Sequence, residues 1–305
     1  MPFFSREIDA LGEIFIERDL FGNTGQWYKI DSILAHEHSE FQEIVMAKLF
    51  INETDIRTAL ILDGILQIVD DPHHIAPYHE SMLGVVLLHP DPKRVMIAGG
   101  GDGCALKTIL TYKNIHATMV EIDKRVVELS QEHMPNLWHD PKDHRGSVCI
   151  QDAASYASNT PDETFDVLVV DSSDPNFDNK GTPANPLYSA SFYSECKRAL
   201  TREGLLIVQG GTFPVERSST RQIVTKLQDL FETVVAMPVS VPSYSHGPMM
   251  LVVATNSKDA LDVSEDVLRT RFTNLSEIPL WLNPAYLKAL IKTPTNIQQE
   301  LGLVA

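Results

Sequence analysis

The chain has 305 residues, with 41 Asp and Glu against 25 Lys and Arg and a formal net charge of -16. Neutralising phosphates needs clustered Lys and Arg, so this balance excludes a nucleic-acid binder and suits cationic small-molecule amines as partners. No run of about 18 apolar residues offers a membrane span, and the opening MPFFSREIDA carries early acids without the apolar core of a secretory signal. Cys104, Cys149 and Cys196 lack CxxC or other metal-ligand spacing, and their odd number argues against a disulfide framework. A soluble, cytoplasmic protein with no membrane partner is the expectation.

Residues 26–70 read as a small antiparallel β unit: WYKIDSIL, EFQEIVMAKLF and TALILDGILQIVD are strand-like and separated by the polar breaks HEHSE and INETDIR. Near Pro77 the period changes, and Tyr78, Met82, Val85 and Leu88 fall at helical spacing before the HPDP breaker. Strands and helices then alternate: RVMIAG, a helix from about Cys104, ATMVEID, the helix RVVELSQEHM, SVCIQD and FDVLVVDSSDP. Next come a helix through SASFYSECKRAL, the strand GLLIVQGG, the helix SSTRQIVTKLQDLF, and the strands VVAMPVSV and MMLVVAT. Unbroken apolar runs such as residues 167–170 suit a parallel sheet covered on both faces. The fold class is α/β: a small antiparallel β domain, 1–76, precedes a doubly wound, Rossmann-like domain of the methyltransferase type, 77–305, that ends in an antiparallel strand pair. Met249 and Met250 read as core, and the acidic KDALDVSEDV as a solvated helix.

Residues 95–110, VMIAGGGDGCALKTIL, set Gly99, Gly101 and Gly103 between a strand and a helix, where missing side chains let backbone approach a ligand. A tight structural turn would read the same way. Glu121 favours a ligand, because it ends the next strand about twenty residues on, where an acid accepts both ribose hydroxyls. Asp102 disfavours phosphate, since it sets a negative charge where an anion would sit. Adenosine attached to a sulfonium, with no phosphate, fits both features. Asp152 ends the following strand within reach of an adenine amino group, although an acid there also serves as a helix N-cap. Asp171 and Asp174 in VVDSSDP extend the series, each also open to a turn or capping role. Gly99, Glu121, Asp152 and Asp171 all reach the carboxyl edge of the sheet, where open α/β folds bind ligands.

GGGDG, VEID, DSSDP, an upstream PYHE and a downstream VPSY, in this order, resemble the polyamine aminopropyltransferases, the family of spermidine synthase. LILDGILQ resembles the β-domain hairpin of that family, and LWLNPAYLKAL its C-terminal region, so the likeness covers almost the whole chain. It implies transfer of an aminopropyl group from decarboxylated S-adenosylmethionine to an amine, with release of methylthioadenosine. It further implies Asp171 as the base, and Tyr78, Asp174 and Tyr244 around the amine. His79 and Asp102 fall around the aminopropyl end, Glu121 at the ribose, Asp152 with Ala153 at the adenine, Gln42 from the β domain in the nucleoside pocket, and Pro183 closing over it. A homodimer or homotetramer through the N-terminal β region is implied as well. Beyond the cosubstrate no cofactor is expected, and no metal, since His73 and His74 are adjacent rather than on one helix face.

The chain departs from the family in places. The loop after DSSDP, residues 176–183, is longer than usual, Ala153 replaces a common glycine, the QGG at Gln209 lacks an acid sometimes found there, and SYSHGPMM replaces an aromatic-rich segment. Putrescine is the expected acceptor, with cadaverine, agmatine or spermidine as alternatives. A methyltransferase using intact S-adenosylmethionine would share the fold, but Asp102 would repel its carboxylate, and Ile97 stands where such enzymes carry an acid. A silent polyamine-binding protein would not need Asp171, and a dehydrogenase would not suit Asp102.

Chemistry requires desolvation at the base. A free amine near pKa 10 and an Asp near 4 differ by roughly 6 units, about 8 kcal/mol. Asp171 is therefore expected in a partly closed, aromatic-walled pocket that raises its pKa.

Overall fold

The structure is a computed structural model and describes residues 5–9, 12–18, 25–175, 177, 183–244, 247–257 and 259–304. Six strands, β1 (Ser5–Asp9), β2 (Gly12–Arg18), β3 (Gly25–His38), β4 (Glu43–Phe50), β5 (Ile56–Leu62) and β6 (Ile65–Val69), pair antiparallel in chain order. Two of them precede the strand-like region expected from Gln26. Asp63 and Gly64 turn β5 into β6 with φ of 49° and 76°, the left-handed pair that an Asp-Gly hairpin favours. One face of this sheet buries Phe15, Val45, Ala47 and Ile61. The other sets Ile44, Met46, Leu60 and Ile68 against Val126, Leu129 and Leu137 of the following domain. Alternation along β4 and β5 thus fixes the sheet over the larger domain.

The helix α1 (Pro72–Val86) starts ahead of Pro77 because Asp71 caps it, accepting from the His73 amide at 2.7 Å, and Pro72 fits the first turn. Tyr78, Met82, Val85 and Leu88 are buried as their spacing predicts.

A second sheet follows, built from β7 (Arg94–Gly99), β8 (His116–Glu121), β9 (Gly146–Ile150), β10 (Phe165–Asp171), β11 (Leu200–Thr212), β12 (Thr233–Val239) and β13 (Met249–Thr255). The intervening helices are α2 (Cys104–Leu110), α3 (Lys124–His133), α4 (Ala153–Asn159), α5 (Ala190–Ala199) and α6 (Arg217–Gln228). Strand order is β12-β13-β11-β10-β7-β8-β9. The five strands from β11 to β9 run parallel, and β13 inserts antiparallel between β11 and β12. Val95, Ile97, Val167, Val169 and Ile207 face one helical layer with α1 and α2. Met96, Ala98, Leu168, Val170 and Leu206 face the other with α5 and α6. Both faces are covered, as the unbroken apolar strands predict.

The C-terminal helices are α7 (Glu265–Phe272), α8 (Pro284–Leu290) and α9 (Thr295–Leu301). Among the described residues of the acidic KDALDVSEDV only the end is helical, because Ser264 caps α7 by accepting from the Val267 amide and residues 259–261 turn. Strand order reverses between β7 and β10, where Gly99 pairs with Asp171. This switch point opens a crevice at the carboxyl ends of the strands.

Candidate active site

The glycine loop is tied to the end of β10. Gly99 has φ +88°, and a Cβ there would stand 2.2 Å from the Asp171 carbonyl oxygen. That carbonyl also accepts from the Gly100 amide at 2.7 Å, so Asp171 and the loop hold one another in place. Asp102 turns back to accept from the Cys104 amide at 2.8 Å. A Cβ on Gly101 would meet Glu121 and Val126, so this glycine lets the Glu121 strand end approach.

One cavity runs between the N-terminal sheet and the carboxyl edge of the second sheet. It is lined by Gln42, Tyr78, His79, Gly99, Gly101, Asp102, Glu121, Asp152, Ala153, Asp171, Asp174, Pro183 and Tyr244. Gly103 does not line it; it abuts the Trp138 ring instead, where a Cβ would come within 2.5 Å. Asp152 is both a cavity wall and the N-cap of α4, accepting from the Ala154 amide at 3.0 Å. Gln42 donates to Asp123 at 3.0 Å, and Asp123 also accepts from Ser39 at 2.6 Å, which ties the N-terminal sheet to the loop after β8.

Electrostatics divide the cavity into three stretches. At one end, burial pushes the Glu121 carboxyl up to about 7 against the hydrogen bond it accepts from the Asp123 amide. In the middle, burial raises Asp102 to about 6, opposed by His79 and reinforced by Asp171. Asp171 is raised by burial too, with His79 and the Tyr78 hydroxyl, 2.9 Å from Oδ1, pulling it back. Burial disfavours a charged His79, yet Cys104, Asp171 and Asp102 together outweigh it and lift the ring to about 10. Beyond this trio Asp174 is raised by burial and accepts from Gln209, whose amide oxygen takes the Tyr188 hydroxyl at 2.8 Å. An aromatic-walled, desolvating site for Asp171 is what the proton-transfer argument requires.

A model of the spermine/spermidine synthase domain matches residues 75–265. The polyamine aminopropyltransferase of Shigella boydii (strain Sb227) is 31% identical over 281 residues, spanning 91% of this chain and 93% of its own length. That of Salmonella paratyphi B is 31% identical over 284 residues, spanning 91% and 94%. The chain belongs to this family.

Two solved structures share the family fold across 98% of this chain, each at 23% identity. They are spermidine synthase from Thermotoga maritima, with a TM-score of 0.84 over 98% of its length, and a spermidine synthase in complex with the transition state analogue AdoDATO, 0.85 over 99%. The chain is thus an aminopropyltransferase-type transferase, and no helix among the described residues is long and apolar enough to cross a membrane.

Against the family pattern, the long loop falls outside the described residues at 176 and 178–182, and so do residues 245 and 246 of SYSHGPMM. Just beyond Gln209 the chain meets an acid from elsewhere, Glu216. A Cβ on Gly211 would lie 2.9 Å from Oε2 of Glu216, so the glycine leaves room for a carboxylate arriving from the next turn. Burial, then Asp174, lifts Glu216 to about 8, and its Oε1 is buried with no hydrogen-bond partner. Glu17 of β2 joins the same end, lifted to about 7 by burial despite accepting from the Leu66 amide and from Gln26. Neither acid carries a motif: Glu17 is one charge in GEIFIER and Glu216 one in a turn, and only the fold brings them behind Asp174.

Proposed function

We propose that the cavity transfers an aminopropyl group from decarboxylated S-adenosylmethionine to putrescine, giving spermidine and methylthioadenosine. The observation that carries this reading is the row of desolvated carboxylates, Glu121, Asp102, Asp171 and Asp174, along one cavity. An anionic substrate would be repelled by such a row, whereas a nucleoside with a cationic tail facing a cationic amine uses every member, its ribose hydroxyls included.

Glu121 takes the ribose hydroxyls, Asp152 and Ala153 the adenine, and Gln42 and Pro183 the remaining nucleoside walls. Asp102 and His79 receive the aminopropyl end. His79, cationic in the empty cavity, offsets Asp102 and Asp171; the entering aminopropyl cation takes over that balance. The acceptor amine lies between Tyr78, Asp174 and Tyr244, and its nitrogen attacks the carbon beside the sulfonium in line. The carbon–nitrogen bond forms as the carbon–sulfur bond breaks, sulfur keeps the electron pair as a thioether, and the proton leaves nitrogen for Asp171. Burial of Asp171 raises its basicity, and the neighbouring sulfonium lowers the pKa of the attacking ammonium, which narrows the gap between them.

Glu17 and Glu216 lie behind Asp174 as buried acids that a second cationic group would draw into the charged form, which supports an acceptor that is charged at its far end as well, as a diamine is. The free thiols of Cys104, Cys149 and Cys196 support a reducing, cytoplasmic site of action. Supplying decarboxylated S-adenosylmethionine and the intact cosubstrate to a panel of amines, with products identified by mass spectrometry, tests the reading. Methylthioadenosine with spermidine supports it, S-adenosylhomocysteine would replace it with methyl transfer, and faster turnover of cadaverine, agmatine or spermidine would reassign the acceptor.

A further inference from the structure

One ring nitrogen of His79, a carboxylate oxygen of Asp102 and the Cys104 sulfur lie within 4.8 Å of one another. His79 comes from α1, Asp102 from the glycine loop and Cys104 from the start of α2, so no ligand spacing in the sequence announces the group. We propose that His79, Asp102 and Cys104 form a divalent-cation site that takes Zn2+ from the substrate cavity and excludes the aminopropyl cation while it is filled.

The donor set fits that ion. Imidazole, carboxylate and thiolate together suit zinc, whereas magnesium and calcium favour all-oxygen shells. Bonds of about 2.0–2.3 Å in a tetrahedral site put donors roughly 3.5 Å apart, so atoms now within 4.8 Å of one another need to close by no more than about 1.3 Å. The donors are also oriented. Nδ1 of His79 sits 3.0 Å from the Ile75 carbonyl, so the ring keeps its proton there while the ion displaces the one on Nε2, as it displaces the Cys104 thiol proton. Oδ1 of Asp102 accepts from the Cys104 amide, which leaves Oδ2 for an ion.

A carboxylate beyond the donors favours a cation: Asp171, with Oδ2 buried and unpartnered, acts on both His79 and Asp102. His79 and Cys104, 6% and 3% exposed, are shielded from bulk water, and Trp138 backs the loop at Gly103. Three protein donors would leave a tetrahedral ion a fourth position for water, as in an accessible zinc site rather than a closed structural one. Because Asp102 and His79 line the cavity, the ion enters by the substrate route. Competition with substrate rests on the proposed transfer reaction; the metal site does not.

Titration of metal-free protein with Co2+ tests the site directly. Thiolate-to-cobalt charge-transfer absorption should saturate at one equivalent and vanish when Zn2+ is added. The band should be lost in Cys104→Ala and kept in Cys149→Ser, with unchanged melting temperatures showing that both variants fold. Cys104→Ala should still transfer aminopropyl groups, and its zinc inhibition constant should rise at least about tenfold. In the unsubstituted enzyme zinc should raise the apparent KM for decarboxylated S-adenosylmethionine without lowering kcat at saturation. No sulfur–cobalt band at saturating cobalt, or undiminished zinc sensitivity in Cys104→Ala, overturns the site. Inhibition that saturating cosubstrate does not relieve overturns the competition. A cobalt band in a protein that makes no methylthioadenosine would sustain the metal site and remove the transfer reading.

Discussion

The Tyr78 hydroxyl donates to Oδ1 of Asp171 at 2.9 Å, while Oδ2 of the same carboxylate is buried without a partner. One oxygen is therefore held and the other left to receive. Tyr78 reaches it from α1 and Asp171 from the end of β10, so the pair also fastens the helix that follows the N-terminal sheet to the switch point of the second sheet.

Asp171→Asn should lower kcat roughly 100- to 10,000-fold, the range for losing a positioned base, with a smaller change in cosubstrate affinity. Tyr78→Phe should act differently. Its hydrogen bond stabilises the ionised Asp171, so removing it raises the pKa further and moves the acidic limb of the kcat/KM profile to higher pH, by about one unit for a bond worth about 1.5 kcal/mol. A normal turnover in Asp171→Asn at saturating diamine would take the base role away from Asp171.

Gly99→Ala should damage both stability and catalysis. The φ of +88° disfavours any side chain, and the added Cβ would press on the Asp171 carbonyl at 2.2 Å. A loss of about 2 kcal/mol or more is expected, read as a fall of several degrees in Tm, together with a kcat loss from displaced Asp171. An unchanged melting temperature would mean that the loop is not locked to β10 as described.

Strand ends at Gly99, Glu121, Asp152 and Asp171 were legible in the sequence because each follows an apolar run whose period is unambiguous. The open α/β plan then sends those ends to one edge. Tyr78, Tyr244 and Gln42 were legible only through family likeness: no periodicity tells a pocket tyrosine from a half-buried one. Gly103 looked equivalent to Gly99 and Gly101 as part of G-x-G-x-G, but the chain has already turned into α2 there and its free face meets Trp138. Glu17 and Glu216 were invisible because their roles depend on contacts across the fold, with Asp174 for both and with Gly211 for Glu216. β1 is illegible for a related reason: five residues, SREID, alternate too briefly to stand apart from a loop.

Glu216→Gln should separate stability from acceptor binding. A carboxyl raised from 4.5 to about 8 on folding makes the folded state the better proton binder, so its contribution to stability is fully present below pH 4.5 and is lost as pH rises towards 8. Glutamine keeps an oxygen for the Thr212 amide and hydroxyl, which Glu216 now accepts at 2.6 Å and 2.9 Å, and removes the buried charge. The variant should melt higher than the parent at about pH 9 and match it near pH 4, while KM for the diamine increases at neutral pH. Equal melting temperatures across that range would show that Glu216 titrates as an ordinary acid.

Asp102 decides which cosubstrate the cavity prefers. Its carboxyl is raised to about 6 by burial, opposed by His79 and reinforced by Asp171, so the charged form grows in as pH passes through that value. The aminopropyl cation gains from the charged form, whereas methylthioadenosine, which lacks the amine, does not. Affinity for decarboxylated S-adenosylmethionine should therefore rise between about pH 5 and pH 7 and methylthioadenosine affinity should stay nearly flat, as measured by calorimetry. In Asp102→Asn, which keeps an acceptor for the Cys104 amide, affinity for the decarboxylated cosubstrate should fall at least about tenfold, or 1.4 kcal/mol, with little change for methylthioadenosine. Asp102→Ala adds the loss of that loop hydrogen bond and should follow the same order. Equal losses for the two ligands would mean that Asp102 shapes the loop rather than reading the charge.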